Sequence, residues 1–205
     1  MQSNRFIVTA QNLKRLYHFV LAGLFALSTV SSVLAQTRSE VDMENKIRLL
    51  LKSEEFKDSR TELIAMGDQA LLLLFKIFEE SSNDEELVRI MSVLRGSGGD
   101  KRGFLPKITV LINAPNPTVQ TAALMTLGEI GGVDQAKPLE EIVMNKKQRE
   151  AARINAARAL ARIGTKQSIA VIETALRIER EKPRDKALIE ALQISLVALR
   201  ERHKQ

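Results

Sequence analysis

Four adjacent carboxylate pairs, Glu54–Glu55, Glu79–Glu80, Glu85–Glu86 and Glu140–Glu141, are the first candidates for acid–base chemistry in this chain. Neighbouring residues on a helix point about 100° apart, so none of these pairs makes a facing dyad by itself. Solvated helix faces and first-turn charges account for them. Nucleophilic catalysis needs a Ser, Thr or Cys beside a positioned base. Beyond residue 35 the only histidine is His203, in the polar tail Arg200 to Gln205, where a frayed surface side chain is expected. The chain has no cysteine, which removes disulfides, thiolate nucleophiles and Cys-ligated metals together. The expectation is a protein with no catalytic residues, no metal and no cofactor.

Two further features bear cations. "GSGGDKRG", Gly96 to Gly103, offers glycine amides with Lys101 and Arg102, the ingredients of an anion cradle. It lacks the Gly-Lys-Ser/Thr of a phosphate-binding loop, so a lengthened turn between helices is the preferred reading. "NKKQREAARINAARALAR" and "RIEREKPRDK" could meet an acidic surface, but Arg149, Arg153 and Arg158 alternate with alanines and have Glu150 and Glu129 nearby. A solvated ridge is expected there.

The elements that carry these residues read as short helices throughout. No segment shows the period-2 alternation of a half-buried strand. Ser39 and Asp42 stand at capping-box-like spacing before Ile47, Leu50 and Leu51. A helix should end near Gly67 and another begin near Asp68. Asn83, with Glu86 three residues on, starts a stripe of Leu87, Ile90, Met91 and Leu94. Asn116-Pro117 is a strong start signal. Pro183 separates the last helix, whose buried stripe is Leu188, Leu192, Leu196 and Leu199.

Two stretches repeat. "NPTVQTAALMTLGEIGGVDQAKPLEEIV" (Asn116 to Val143) and "REAARINAARALARIGTKQSIAVIETAL" (Arg149 to Leu176) align at an offset of 33. Ala123 matches Ala156, Leu127 matches Leu160, Gly131 matches Gly164, Leu139 matches Ile172 and Val143 matches Leu176. A fixed period of this size marks stacked repeats, in which one helix pair cannot bury its stripe alone. Gly131 and Gly164 fall where the first helix ends and the chain turns. Ala122–Ala123 and Ala156–Ala157 allow neighbouring first helices to approach closely.

These residues resemble the HEAT repeat, and more specifically the HEAT-like repeat of phycobilisome lyases. The resemblance is good over 116–176, fair over 62–112 and weak at the C-terminal helix. It departs at Arg149-Glu150, where an Asn/Asp-Pro start would stand. It implies an all-α fold, a right-handed α-α superhelix or HEAT-like solenoid of about four to five helix pairs, over residues 36–205. It also implies a scaffold for macromolecular contacts, since the motif specifies packing and leaves ligand choice to exposed positions. In such folds the second helices line the contact face. Lys137, Glu141 and Met144 oppose the buried residues of one second helix, and Thr174 and Arg177 those of the next. This mixed-charge row suits a protein or peptide partner.

Residues 1–35 read as a secretory signal: Arg5, Lys14 and Arg15, then the apolar "FVLAGLFALSTV", then small residues before a cut between Ala35 and Gln36. The apolar core is about a dozen residues, short for a bilayer span of ~20. Export to the periplasm or beyond follows, as an exported bacterial HEAT-repeat protein; an uncleaved membrane anchor is the alternative. Three of 31 Lys/Arg and none of 25 Asp/Glu lie in that segment, leaving 28 against 25 and a net charge of +3. So small a balance gives no expectation of nucleic acid. A lyase-type or enzyme-accessory role rests on the repeat subtype alone.

Overall fold

The computed structural model describes residues 36–181 and 185–204. The expected signal segment, Ala35 of its cleavage site and Pro183 lie outside the described residues. The chain divides into two compact units, Met1–Lys46 and Ile47–Gln205. In the first, residues 36–46 are helical, so Ser39 sits inside a helix rather than at its cap.

The second unit opens with helical residues 47–52 (α1), followed by α2 (Phe56–Ala65), α3 (Gly67–Glu80) and α4 (Asp84–Gly96). A 3-10 turn, Arg102–Phe104, leads into α5 (Leu105–Leu111), then α6 (Pro117–Ile130). A second, Val133–Gln135, leads into α7 (Ala136–Met144), followed by α8 (Glu150–Ile163), α9 (Lys166–Glu181) and α10 (Lys186–Arg202). The described residues of this unit form an all-helical solenoid packed in sequential pairs.

Local chemistry sets the element starts. The Asn83 side chain accepts from the Glu86 amide at 2.9 Å, and three acids, Asp84, Glu85 and Glu86, favour the positive end of α4. Asn116 accepts from the Thr118 amide at 2.8 Å, with Pro117 at the first helical position. Its side-chain amide also donates to Asp84 at 2.7 Å, tying the starts of α6 and α4 together. Replacing Asn83 by Ala removes one amide's partner, and a loss of about 1 kcal/mol in urea unfolding is expected. A loss below a few tenths would mean that water serves the cap equally well.

The core follows the repeat. Ala123, Ala156, Leu127, Leu160, Leu139, Ile172 and Val143 are all fully buried. First helices lie side by side in the order α2, α4, α6, α8, α10. Gly128 is a close point of that stack: a Cβ there would lie 3.0 Å from Ala159 Cα. The closest pairing in sequence, however, is not across the glycine turns. α7 packs along α8, α9 along α10 and α5 against α6, so each second helix rests on the first helix of the following unit.

Gly131 and Gly164 stand at the ends of α6 and α8, where the sequence places them. Gly131 and Gly164 are extended (φ −74° and −65°), not left-handed. They are required by crowding: a Cβ would stand 2.5 Å from the Leu127 and Leu160 carbonyl oxygens respectively. The left-handed conformation occurs instead at Gly67 and Gly99 (φ 67° and 72°).

Candidate partner-binding surface

The residues with chemical potential are largely engaged in holding helix ends. The last carbonyls of a helix have no partner within it, and here a cation from elsewhere in the stack fills that role. Arg89 donates to Leu51 O at 2.8 Å in the last turn of α1 and to Ser53 O at 2.6 Å just beyond it. Lys107 on α5 donates to the Phe78 and Glu79 carbonyls of α3 and to that of its C-cap, Ser81. Arg153 on α8 donates to Val143 O of α7 at 2.9 Å and to Glu179 Oε1 of α9 at 2.7 Å. That last ion pair is nearly dry, with side chains 8% and 13% exposed. Arg153 is therefore a buried tie among three helices, not part of a solvated ridge.

Arg149 replaces the missing Asn-Pro start in a similar manner. It has no side-chain capping bond of its own, but its guanidinium reaches Pro115 O (3.1 Å), Ala114 O (3.2 Å) and Gln120 Oε1 (2.7 Å) at the start of α6. His203 is also not frayed. It is half-buried, with Nε2 3.0 Å from Gly164 O, so the last helix is tied to the turn after α8.

The glycine-rich loop uses its cations internally. Lys101 donates to Leu94 O and Ser97 O, closing α4. Arg102 grips Asp100 with Nε at 3.0 Å and Nη2 at 2.6 Å. No free cationic cradle is left by these contacts. The Arg102 guanidinium and amide hold the Asp100 carboxyl down at about 2. A depressed carboxylate pKa contributes stability above its unfolded value, lost as pH falls through the folded one. NMR titration should therefore find Asp100 still ionised at pH 3, and Arg102→Ala should return it to the ordinary carboxylate range.

At the start of α8, Glu150 lies against Asp185, the cap of α10, and a hydrogen bond with that carboxyl holds its pKa above the usual range. Among the described residues no group of three or more His, Cys, Asp or Glu is placed to hold a metal ion. No helix among them is long and apolar enough to cross a membrane.

The second helices present the predicted row. Leu139, Ile142 and Val143 are buried, while Lys137, Glu141 and Met144 are exposed, Met144 by 37%. Arg177 is exposed and loosely paired with Glu181 at 3.6 Å. Thr174 is half-buried, its hydroxyl donating to Ala170 O at 2.8 Å, so it offers less than the others.

The sequence reading missed the apolar half of this row. Matching buried positions (Leu71, Leu74, Ile77 and Phe78 of α3 with Ala136, Leu139, Ile142 and Val143 of α7) puts Leu72 in the register of Lys137. The same comparison of Ile108 on α5 and Ile112 at its C-cap puts Val110 in the register of Glu141. Leu72 is 75% and Val110 72% exposed. Beside Leu72, Phe75 stands edge-on to Phe104 at 5.3 Å, and the two line a hollow of about 410 Å³ with Asp68, Leu71, Asp100 and Gly103. The signal was present in "ALLLLFKIF": a helix buries one stripe, so an unbroken apolar run must leave some members in water.

Comparison with known proteins agrees with this architecture. The family model of HEAT repeats matches residues 108–193, a stretch that runs from α5 into α10. No curated protein and no solved structure matches the chain. The match gives the chain a HEAT repeat region at residues 108–193.

Proposed function

We propose that this protein is an exported, non-catalytic scaffold that binds a protein or peptide through the solvent face of its second helices. HEAT repeats typically mediate protein binding, and the observation that carries the reading here is the change of character along that face. Leu72, Phe75 and Val110 supply exposed apolar area on α3 and α5, while Lys137, Glu141, Met144 and Arg177 supply mixed charge on α7 and α9. Apolar anchors beside a charged region are the composition of a protein-recognition surface. The engagement of Arg153, Lys101 and His203 with neighbouring carbonyls supports a scaffold with no reaction of its own.

Export rests on the basic, apolar and small-residue order of residues 1–35. N-terminal sequencing of the native protein should begin at Gln36; a chain still beginning at Met1 contradicts cleavage and favours an anchor. For the surface, photo-cross-linking groups at Leu72 and Met144 in the exported protein should capture the same partner. With the cross-linking group at Met144 alone, Leu72→Glu together with Glu141→Arg and Arg177→Glu should abolish that capture. An unchanged cross-linking pattern would remove this face from consideration.

A further inference from the structure

The first helices carry a charge ladder that the second-helix surface does not use. One charged residue on each successive helix sits within range of the next: Arg95 on α4, Glu129 on α6 and Arg162 on α8 stand next to last in their helices, and Arg60, midway along α2, reaches the end of α4. Arg60 donates to Ser92 O of α4 at 2.9 Å, and its side chain lies across Gly96. Arg95, half-buried, feels both Arg60 and Glu129; burial pulls its guanidinium below the usual range. Glu129 meets Arg162 at 3.4 Å. Arg158 stands exposed one turn before Arg162 and has no acidic partner among the described residues. Three rungs and a neighbour are thus cationic, against a single carboxylate.

A slot accompanies the ladder. Between α6 and α8, whose backbones are brought together at Gly128 and Ala159, lies a hollow of about 250 Å³. Leu124, Met125 and Ala159 give it apolar lining, and Glu129, Arg158 and Arg162 border it. Met125 is 43% exposed there.

We propose that this ladder docks an acidic segment of a partner protein, laid in extended form across the first helices. Packed helices are about 8–10 Å apart, and an extended chain rises ~3.3 Å per residue, so three residues step from one helix to the next. Carboxylates belong over Arg60, Arg95 and Arg158–Arg162. The position over Glu129 must be uncharged, and an apolar side chain there enters the Met125 slot. The segment that fits therefore reads acid-x-x-acid-x-x-apolar-x-x-acid. Nucleic acid fits less well, because a uniform phosphate chain would place a charge against Glu129.

The test is fluorescence anisotropy with the full chain and a labelled peptide carrying Glu at its first, fourth and tenth positions and Leu at its seventh. Wild type should bind it, more weakly as salt rises. Arg158→Glu with Arg162→Glu should weaken binding about tenfold or more, and Glu129→Gln should tighten it. Lys137→Glu, on the second-helix face, should change nothing, which separates this surface from the one above. Unchanged circular dichroism would show that the exposed arginine variants fold. The proposal is overturned if wild type ignores the peptide or if the double variant binds equally. Equal binding of a lysine version, an oligonucleotide or anionic vesicles overturns it as well.

Discussion

Arg153→Ala is expected to cost about 3–5 kcal/mol of unfolding free energy, because it leaves the Glu179 carboxylate buried without its counter-charge. The loss is compounded. The same side chain satisfies Val143 O, so α7 loses its terminal partner as α9 loses its ion pair. A marginal domain holds about 5–15 kcal/mol in all, so this single change should remove a large share of stability. Joint replacement, Arg153→Met with Glu179→Leu, should recover most of the loss, since an apolar pair of similar volume is often as stable as a buried ion pair. If the single and joint variants are equally unstable, the pair is not what holds these helices.

The second large effect concerns helix approach. Gly128→Val must push branched carbons into the Ala159 backbone, and overpacking of this kind costs ~1–3 kcal/mol or more. Gly164→Val is worse placed still. A Cβ would meet Leu160 O at 2.5 Å, Leu199 Cδ2 at 2.9 Å and Ser168 Cβ at 3.1 Å, so α8, α9 and α10 must all shift. Gly98→Val is the control, because nothing lies within 4 Å of a Cβ there. Thermal unfolding should lower the midpoint for Gly164→Val by well over the change for Gly98→Val. Equal midpoints would mean that the turn after α8 is open.

How much of this could be read in advance depends on distance along the chain. Asn83, Asn116 and Gly67 act on amides or dihedrals within three residues, and the residues alone located them. The 33-residue spacing located the stack, because Ala123 with Ala156 and Leu127 with Leu160 are a packing pattern written in sequence. What escaped prediction is contact between units. Nothing in Lys107 announces that it caps α3, and nothing in Arg149 announces Ala114 and Pro115. The same blindness assigned Arg153 to solvent and His203 to a loose tail. Of the expected contact row, Lys137, Glu141, Met144 and Arg177 are exposed and Thr174 is half-buried. The row omitted Leu72 and Val110, because it was drawn only on the two second helices of the 33-residue repeat.

Because the chain has no cysteine, an introduced pair gives an unambiguous readout of the stacking register. A Cβ at Gly128 would lie 3.1 Å from that of Ala159. A relaxation of a few tenths of an ångström brings it to the ~3.5–4.5 Å that a disulfide needs. In a Gly128→Cys, Ala159→Cys chain, mild oxidation should join the two cysteines nearly quantitatively within one molecule, and a Gly98→Cys, Ala159→Cys chain should stay reduced. Two free thiols at 128 and 159 under conditions where the fold persists would contradict the side-by-side stacking of α6 on α8, and with it the repeat surfaces built upon that stacking.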